Sequence, residues 1–121
     1  MNKKYILQKK PFVIPTLDGK LIEEHFGHTT DNGELSMAHM IAPSGWSEPF
    51  QTPNFDEYTY VIKGEKQLNI DGELVVLEAG QSIKIKKGVR VQYSNPFDAE
   101  CEYLAVCSPA FSVGLVNREE E

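Results

Sequence analysis

Few side chains in this sequence could do chemistry, and Glu57 is the most informative of them. It opens a run in which Glu57, Thr59 and Val61 alternate with Tyr58, Tyr60 and Ile62, the period of a strand that turns one carboxylate toward an interior. A carboxylate in a partly apolar interior keeps its proton to higher pH unless donors such as Gln51, Thr59 or Tyr93 compensate, so Glu57 is a candidate general acid or base. Its plain structural role is a carboxylate satisfied by hydrogen bonding to Gln51. His39 shares its parity with Leu35, Met37 and Ile41; a histidine on an apolar face serves as a hydrogen-bonded core residue or, in the sharper reading, as a ligand. His25 and His28 flank Gly27 ahead of the loop TTDNG and read as exposed polar residues. Tyr93 lies two residues beyond Val91 on one strand face and Tyr103 faces inward from another strand, so two phenols border the same space.

Cys101 and Cys107 alternate with Tyr103 and Ala105 along one strand, about 20 Å apart at the rise of extended chain and far beyond the roughly 7 Å reach of a disulfide. Two buried free thiols are expected, which suits a reducing compartment. Nothing in the sequence brings Cys107 and His39 within reach as a nucleophile and base. Twelve basic against eighteen acidic residues leave a net charge of -6, which disfavours phosphate backbones and anionic membranes, so neither nucleic acid nor a membrane is expected as a partner. The basic start MNKKYILQKKPF lacks the apolar stretch of a signal peptide and no run reaches membrane-spanning length; a cytoplasmic location is expected. The basic run from Lys84 to Arg90 is broken by a turn and reads as a solvated rim.

The elements that must position these residues are short strands between Gly, Pro and Asp-Gly corners. Strands are expected over 20–26, 35–42, 57–62, 66–70, 73–77, 82–86, 89–93 and 100–107, with Asp71-Gly72 as the clearest hairpin turn. Trp46, Pro49, Phe50 and Pro53 form an irregular lead-in to the strand of Glu57. No segment shows a helical period. The pattern predicts one all-β domain over 1–121, an arm over 1–16, a barrel over 20–108 and a tail over 109–121 that lays Phe111 and Val113 on the barrel and leaves its acidic end solvated.

The spacing then becomes specific. Gly45 to Gly64 reads GxxxxxQxPxxxExxxxxxG and resembles the first motif of the cupin superfamily, GxxxxxHxHxxxExxxxxxG; Gly80 to Asn95 reads GxxxxxKxGxxVxxxN and resembles the second, GxxxxxPxGxxHxxxN. The resemblance implies a jelly-roll β-barrel, or double-stranded β-helix, and a homodimer. In the family, two histidines and the glutamate of the first motif and the histidine of the second bind a divalent metal. Here Gln51, Pro53 and Val91 stand at the histidine positions and only Glu57 remains.

A small organic ligand bound in the barrel without a histidine-ligated metal is therefore the expected function, and no cofactor is expected. Gln51, Glu57, His39, Tyr93 and Tyr103 are the expected polar contacts, with Trp46, Phe55, Met37, Val61, Val91 and Cys107 as apolar wall. The rival is an enzyme, either metal-dependent through Gln51, Glu57 and His39 or a metal-free isomerase or lyase using Glu57 as its base. A dimerising scaffold with a filled interior is the third reading. Tyr5, Ile6, Leu7, Phe12 and Val13 give the arm more apolar character than a free tail requires and suit packing on a partner subunit.

Overall fold

The computed structural model describes residues 4–30 and 33–119. Its organising hairpin is the one centred on Asp71-Gly72, where both residues take positive φ, 50° and 98°. That left-handed pair has the twist a two-residue connection needs. It sets Glu65 opposite Glu78 and Ile70 opposite Glu73 in unbroken register.

The elements in chain order are β1 (Phe12–Val13), β2 (Leu21–Phe26), β3 (Ser36–Ala42), β4 (Trp46–Ser47), β5 (Asp56–Lys63), β6 (Glu65–Ile70), β7 (Glu73–Glu78), β8 (Ser82–Ile85), β9 (Val91–Asn95), β10 (Cys101–Ser108) and α1 (Val113–Val116). They form two antiparallel sheets, ordered β1-β2-β3-β10-β5-β8 and β4-β9-β6-β7. The core lies between them: Val61, Tyr103 and Ala105 from the first sheet meet Trp46, Leu68, Val91 and Tyr93 from the second. This two-sheet arrangement is the jelly roll that the motif resemblance implies, built from the all-β strands the pattern predicts.

Two motif residues are explained by the backbone. Gly64 has φ 82°, and a Cβ there would stand 2.4 Å from the Glu100 carbonyl oxygen, so only glycine allows β6 to leave β5 beside the start of β10. Asn95, fully buried, donates its Nδ2 to the carbonyls of Ala42 (3.2 Å), Pro43 (3.1 Å) and Ala99 (2.9 Å) and accepts from the Phe97 amide (3.2 Å). One side chain thus ties the end of β3 to the β9–β10 loop, and the motif asparagine holds the frame.

Several expectations need correction. The strand placed at 89–93 runs instead from Val91 to Asn95, because Val89 closes a turn on Lys86 while Val91 pairs with Ile70 and Gln51. The lead-in contains β4, which pairs with β9 through Trp46 and Asn95. A single helical turn, α1, follows the last strand; four residues are too few for a period to show in the sequence. The tail does not leave the barrel at once: Glu119 donates its amide to Phe50 (2.8 Å) and its carboxylate accepts from Arg90 (2.7 and 3.0 Å). Phe111 packs on Phe55, whereas Val113 is 86% exposed. Glu120 and Glu121 lie outside the described residues. Arg90, read as part of a solvated rim, also stacks its guanidinium 3.7 Å over the Phe50 ring. Among the described residues, no helix is long and apolar enough to cross a membrane.

Candidate functional site

β6 reads Glu65-Lys66-Gln67-Leu68-Asn69-Ile70, and burial of Leu68 fixes which parity faces inward. Lys66 has that parity. It is 2% exposed, and its Nζ lies 3.6 Å from the centroid of the Tyr103 ring and 4.3 Å from that of Tyr93. Among the described residues it makes no hydrogen bond or ion pair; the two ring faces are its partners. Lys20 enters from the approach to β2, its Nζ 4.3 Å over Trp46 and 5.5 Å from the Tyr103 ring. Trp46 in turn donates its indole N–H to Asp18 at 2.7 Å.

Both lysines line a cavity of about 490 Å³, as do Glu48, Gln51, Glu57, Tyr93, Cys107 and Arg118. The arm residues 14–17 run along its edge. Glu57 stands on β5 directly opposite Cys107 on β10 and Ile85 on β8. Burial raises its pKa, and the ammonium groups of Lys66 and Lys20 offset only part of the rise. The Tyr93 hydroxyl lies close enough to lower it somewhat, yet forms no hydrogen bond of normal geometry. Burial acts the other way on Lys66, and with repulsion from Lys20 it brings the amine down to about 8 against the pull of Glu57 and Glu48. Lys20 is lowered too, by burial first. Burial pushes the Cys107 thiol and both phenols up, so all three stay neutral across the physiological range.

Gln51 is held by reciprocal backbone hydrogen bonds with Val91, each 2.9 Å, and its side-chain oxygen accepts from Arg118 at 3.3 Å. Arg118 also approaches Glu48 at 3.5 Å. The returning tail therefore supplies one rim of the cavity.

Of the residues singled out from the sequence, Gln51, Glu57, Tyr93 and Cys107 line this cavity. Tyr103 and Trp46 stand behind the two lysines as ring partners. Val61 and Val91 are in the packed core behind the wall, and Phe55 belongs to a separate cluster with Cys107, Val116, Phe111 and Leu115. His39 and Met37 are placed differently from expectation. The buried residues of β3 are Ser36, Ala38 and Ala42, so the opposite parity, with Met37 and His39, lies on the outer face of the sheet. There His39 bridges Glu23 (Nδ1, 2.8 Å) and Glu102 (Nε2, 2.6 Å) across β2, β3 and β10. Burial opposes its charge, but the hydrogen bonds to Glu102 and Glu23 prevail and raise its pKa. The set Gln51, Glu57 and His39 is therefore not assembled. Among the described residues, no three His, Cys, Asp or Glu side chains converge as metal ligands, and with Pro53 and Val91 at two of the family's histidine positions the donors present do not fit that metal site.

Lys66, Lys20, Glu48 and Arg118 were missed in the sequence. For Lys66 the signal was present in its parity with Leu68 and Ile70; for Arg118 there was none, since only the folded tail brings it to Gln51.

Fold and site together define a small antiparallel barrel with a partly polar interior pocket. Residues 38–107 match the cupin domain family model, and the chain belongs to the cupin family. It is 42% identical over 112 residues to Endoribonuclease YbeY of Myxococcus xanthus, covering 92% of this chain and 38% of that protein. The chain spans 34% to 58% of the length of the curated relatives it matches. Among solved structures, the Clostridium difficile EutQ protein is 28% identical with a TM-score of 0.64, covering 75% of this chain and 63% of that one. An RmlC-like cupin from Shewanella frigidimarina has a TM-score of 0.73 at 20% identity, covering 94% and 97%.

Proposed function

We propose that this cupin binds a small organic ligand in its barrel, held by Lys66, Glu57 and Tyr93 rather than by a histidine-ligated metal. The observation that carries this reading is the convergence of those three side chains on one cavity of about 490 Å³, a volume suited to a small metabolite. Tyr93 is 2% exposed and its hydroxyl has no hydrogen-bond partner, a cost that a ligand acceptor would remove. An open cavity favours this reading over a filled scaffold. Two buried free thiols support a cytoplasmic setting.

Thermal melting against a panel of small carboxylic, hydroxy and oxo acids tests the reading. Ligand at about a hundred times its Kd adds roughly 2.7 kcal/mol of stability, readable as a rise in Tm, and the rise should vanish in Glu57→Gln and Lys66→Met. Elemental analysis of protein purified without chelators supplies the opposing result: near-stoichiometric Mn, Fe, Ni or Zn that disappears in Glu57→Ala overturns the metal-free reading.

A second reading has its own support. The acid Glu57 and the base Lys66 have pKa values pushed toward each other, the arrangement of a site able to exchange protons near neutral pH. This favours a metal-free isomerase or lyase with Glu57 as its acid–base group. Slow exchange of a substrate α-proton with deuterated water, absent in Glu57→Gln, would separate catalysis from binding alone.

A further inference from the structure

Lys66 is costly where it stands. Its side chain is 2% exposed, and the two aromatic faces beside its ammonium replace only part of the hydration that burial removes. A hydrophobic side chain would fill the same space without that cost. The amine nevertheless lines the cavity rather than being sealed behind it.

Around it are the parts of a covalent site. Lys20 is a second cation beside the same Tyr103 ring, and both lysines line the one cavity, open to a single small molecule. Glu57 lines the cavity close enough to feel both charges, and Tyr93 adds a buried hydroxyl with no partner. We propose that Lys66 is a nucleophile that captures a small oxo acid as a Schiff base, with Lys20 holding the carboxylate of that acid. The proposal rests on the ligand-binding reading above and deepens it.

The step balances without a redox partner. The neutral Lys66 nitrogen attacks the carbonyl carbon, forming a C–N bond while the carbonyl oxygen takes a proton from the Glu57 carboxyl and the nitrogen proton returns to the Glu57 carboxylate. A second proton from Glu57 lets the hydroxyl leave as water, giving the C=N bond. Tyr93 is placed to donate to the oxygen during attack. With its amine near 8 instead of 10.5, Lys66 carries about 300-fold more free base at pH 7 than an ordinary lysine. The charged and titratable groups facing it are Lys20, Glu57, Glu48 and Cys101, with Tyr93 and Tyr103 as ring partners.

Pyruvate with sodium cyanoborohydride tests the proposal, followed by intact mass and peptide mapping. The expected result is one carboxyethyl group on Lys66, formed at least about tenfold faster at pH 7 than on any other lysine, and absent in Lys66→Met. Lys66→Met is checked for folding by its thermal melt, and Lys20→Met, which keeps the nucleophile, should slow pyruvate labelling more than labelling by neutral acetaldehyde. Labelling spread evenly over surface lysines, or unchanged in Lys66→Met, overturns the proposal. If Lys66 stays unmodified while lactate, which has no carbonyl to trap, still raises Tm, covalent capture fails and non-covalent binding stands. If Lys66 stays unmodified and no acid of the panel raises Tm, both fail.

Discussion

At the scale of residues, this barrel places a lysine and a glutamate in its interior, where burial works against both charges. The lysine makes a testable contribution to stability. With the native pKa of Lys66 near 8 and the unfolded value near 10.5, the charged amine destabilises the fold on the order of 3 kcal/mol at neutral pH. The unfolded chain binds the extra proton between those values, so this penalty is complete below pH 8 and fades as pH rises to 10.5. Lys66→Met should therefore be more stable than the parent near pH 7, with the difference shrinking as pH rises toward 10.5. Urea midpoints of the two proteins measured from pH 7 to 10.5 check this. Stability gained by removing a side chain is the mark of a residue retained for a task.

At the scale of elements, the glycine and asparagine framework of the two motifs is backbone geometry. Gly64→Ala meets both a positive φ and a Cβ 2.4 Å from the Glu100 carbonyl oxygen, and should cost about 3 kcal/mol. Gly80→Ala shares the positive φ, 85°, but nothing lies within 4 Å of its added Cβ, so it should cost only about 1 kcal/mol. Urea unfolding of the pair separates crowding from conformational strain; equal losses would remove the role assigned to the close approach of β6 and β10. The hairpin at Asp71-Gly72 and the alternation of β10 belong to the same class of local instruction.

At the scale of the whole molecule, the outer face of the larger sheet is unusually apolar. Tyr58, Tyr60 and Ile62 are 41%, 45% and 41% exposed, and beside them lie Leu104 and Val106 of β10. The bridge of His39 to Glu23 and Glu102 sits within this face, and β1 continues its edge through Phe12 and Val13. We propose a homodimer formed through this face and the N-terminal arm. Sedimentation at micromolar concentration should give a dimer for the parent and a folded monomer for Tyr60→Glu, whose side chain lies opposite Leu104. A parent that sediments as a monomer would refute the arrangement.

Most strands, their corners and the inward aim of Glu57, Tyr93 and Cys107 are legible in the sequence, β4 and the bounds of β9 excepted. All of these follow from period-two alternation and turn chemistry, which act between near neighbours in the chain. The face of β3 was not legible in the same way. Its two parities are both apolar, Leu35, Met37 and Ile41 against Ala38, Met40 and Ala42, so alternation could not choose, and packing put the smaller set inside and His39 outside. The site's cations were decided by tertiary structure as well. Lys66 carried a local sign of its direction, but that it meets Glu57, Lys20 and Tyr93 depends on folding two sheets against each other. Glu57 thus keeps the interior position its motif assigns, with a buried lysine beside it in a barrel whose sequence has lost the family's histidines.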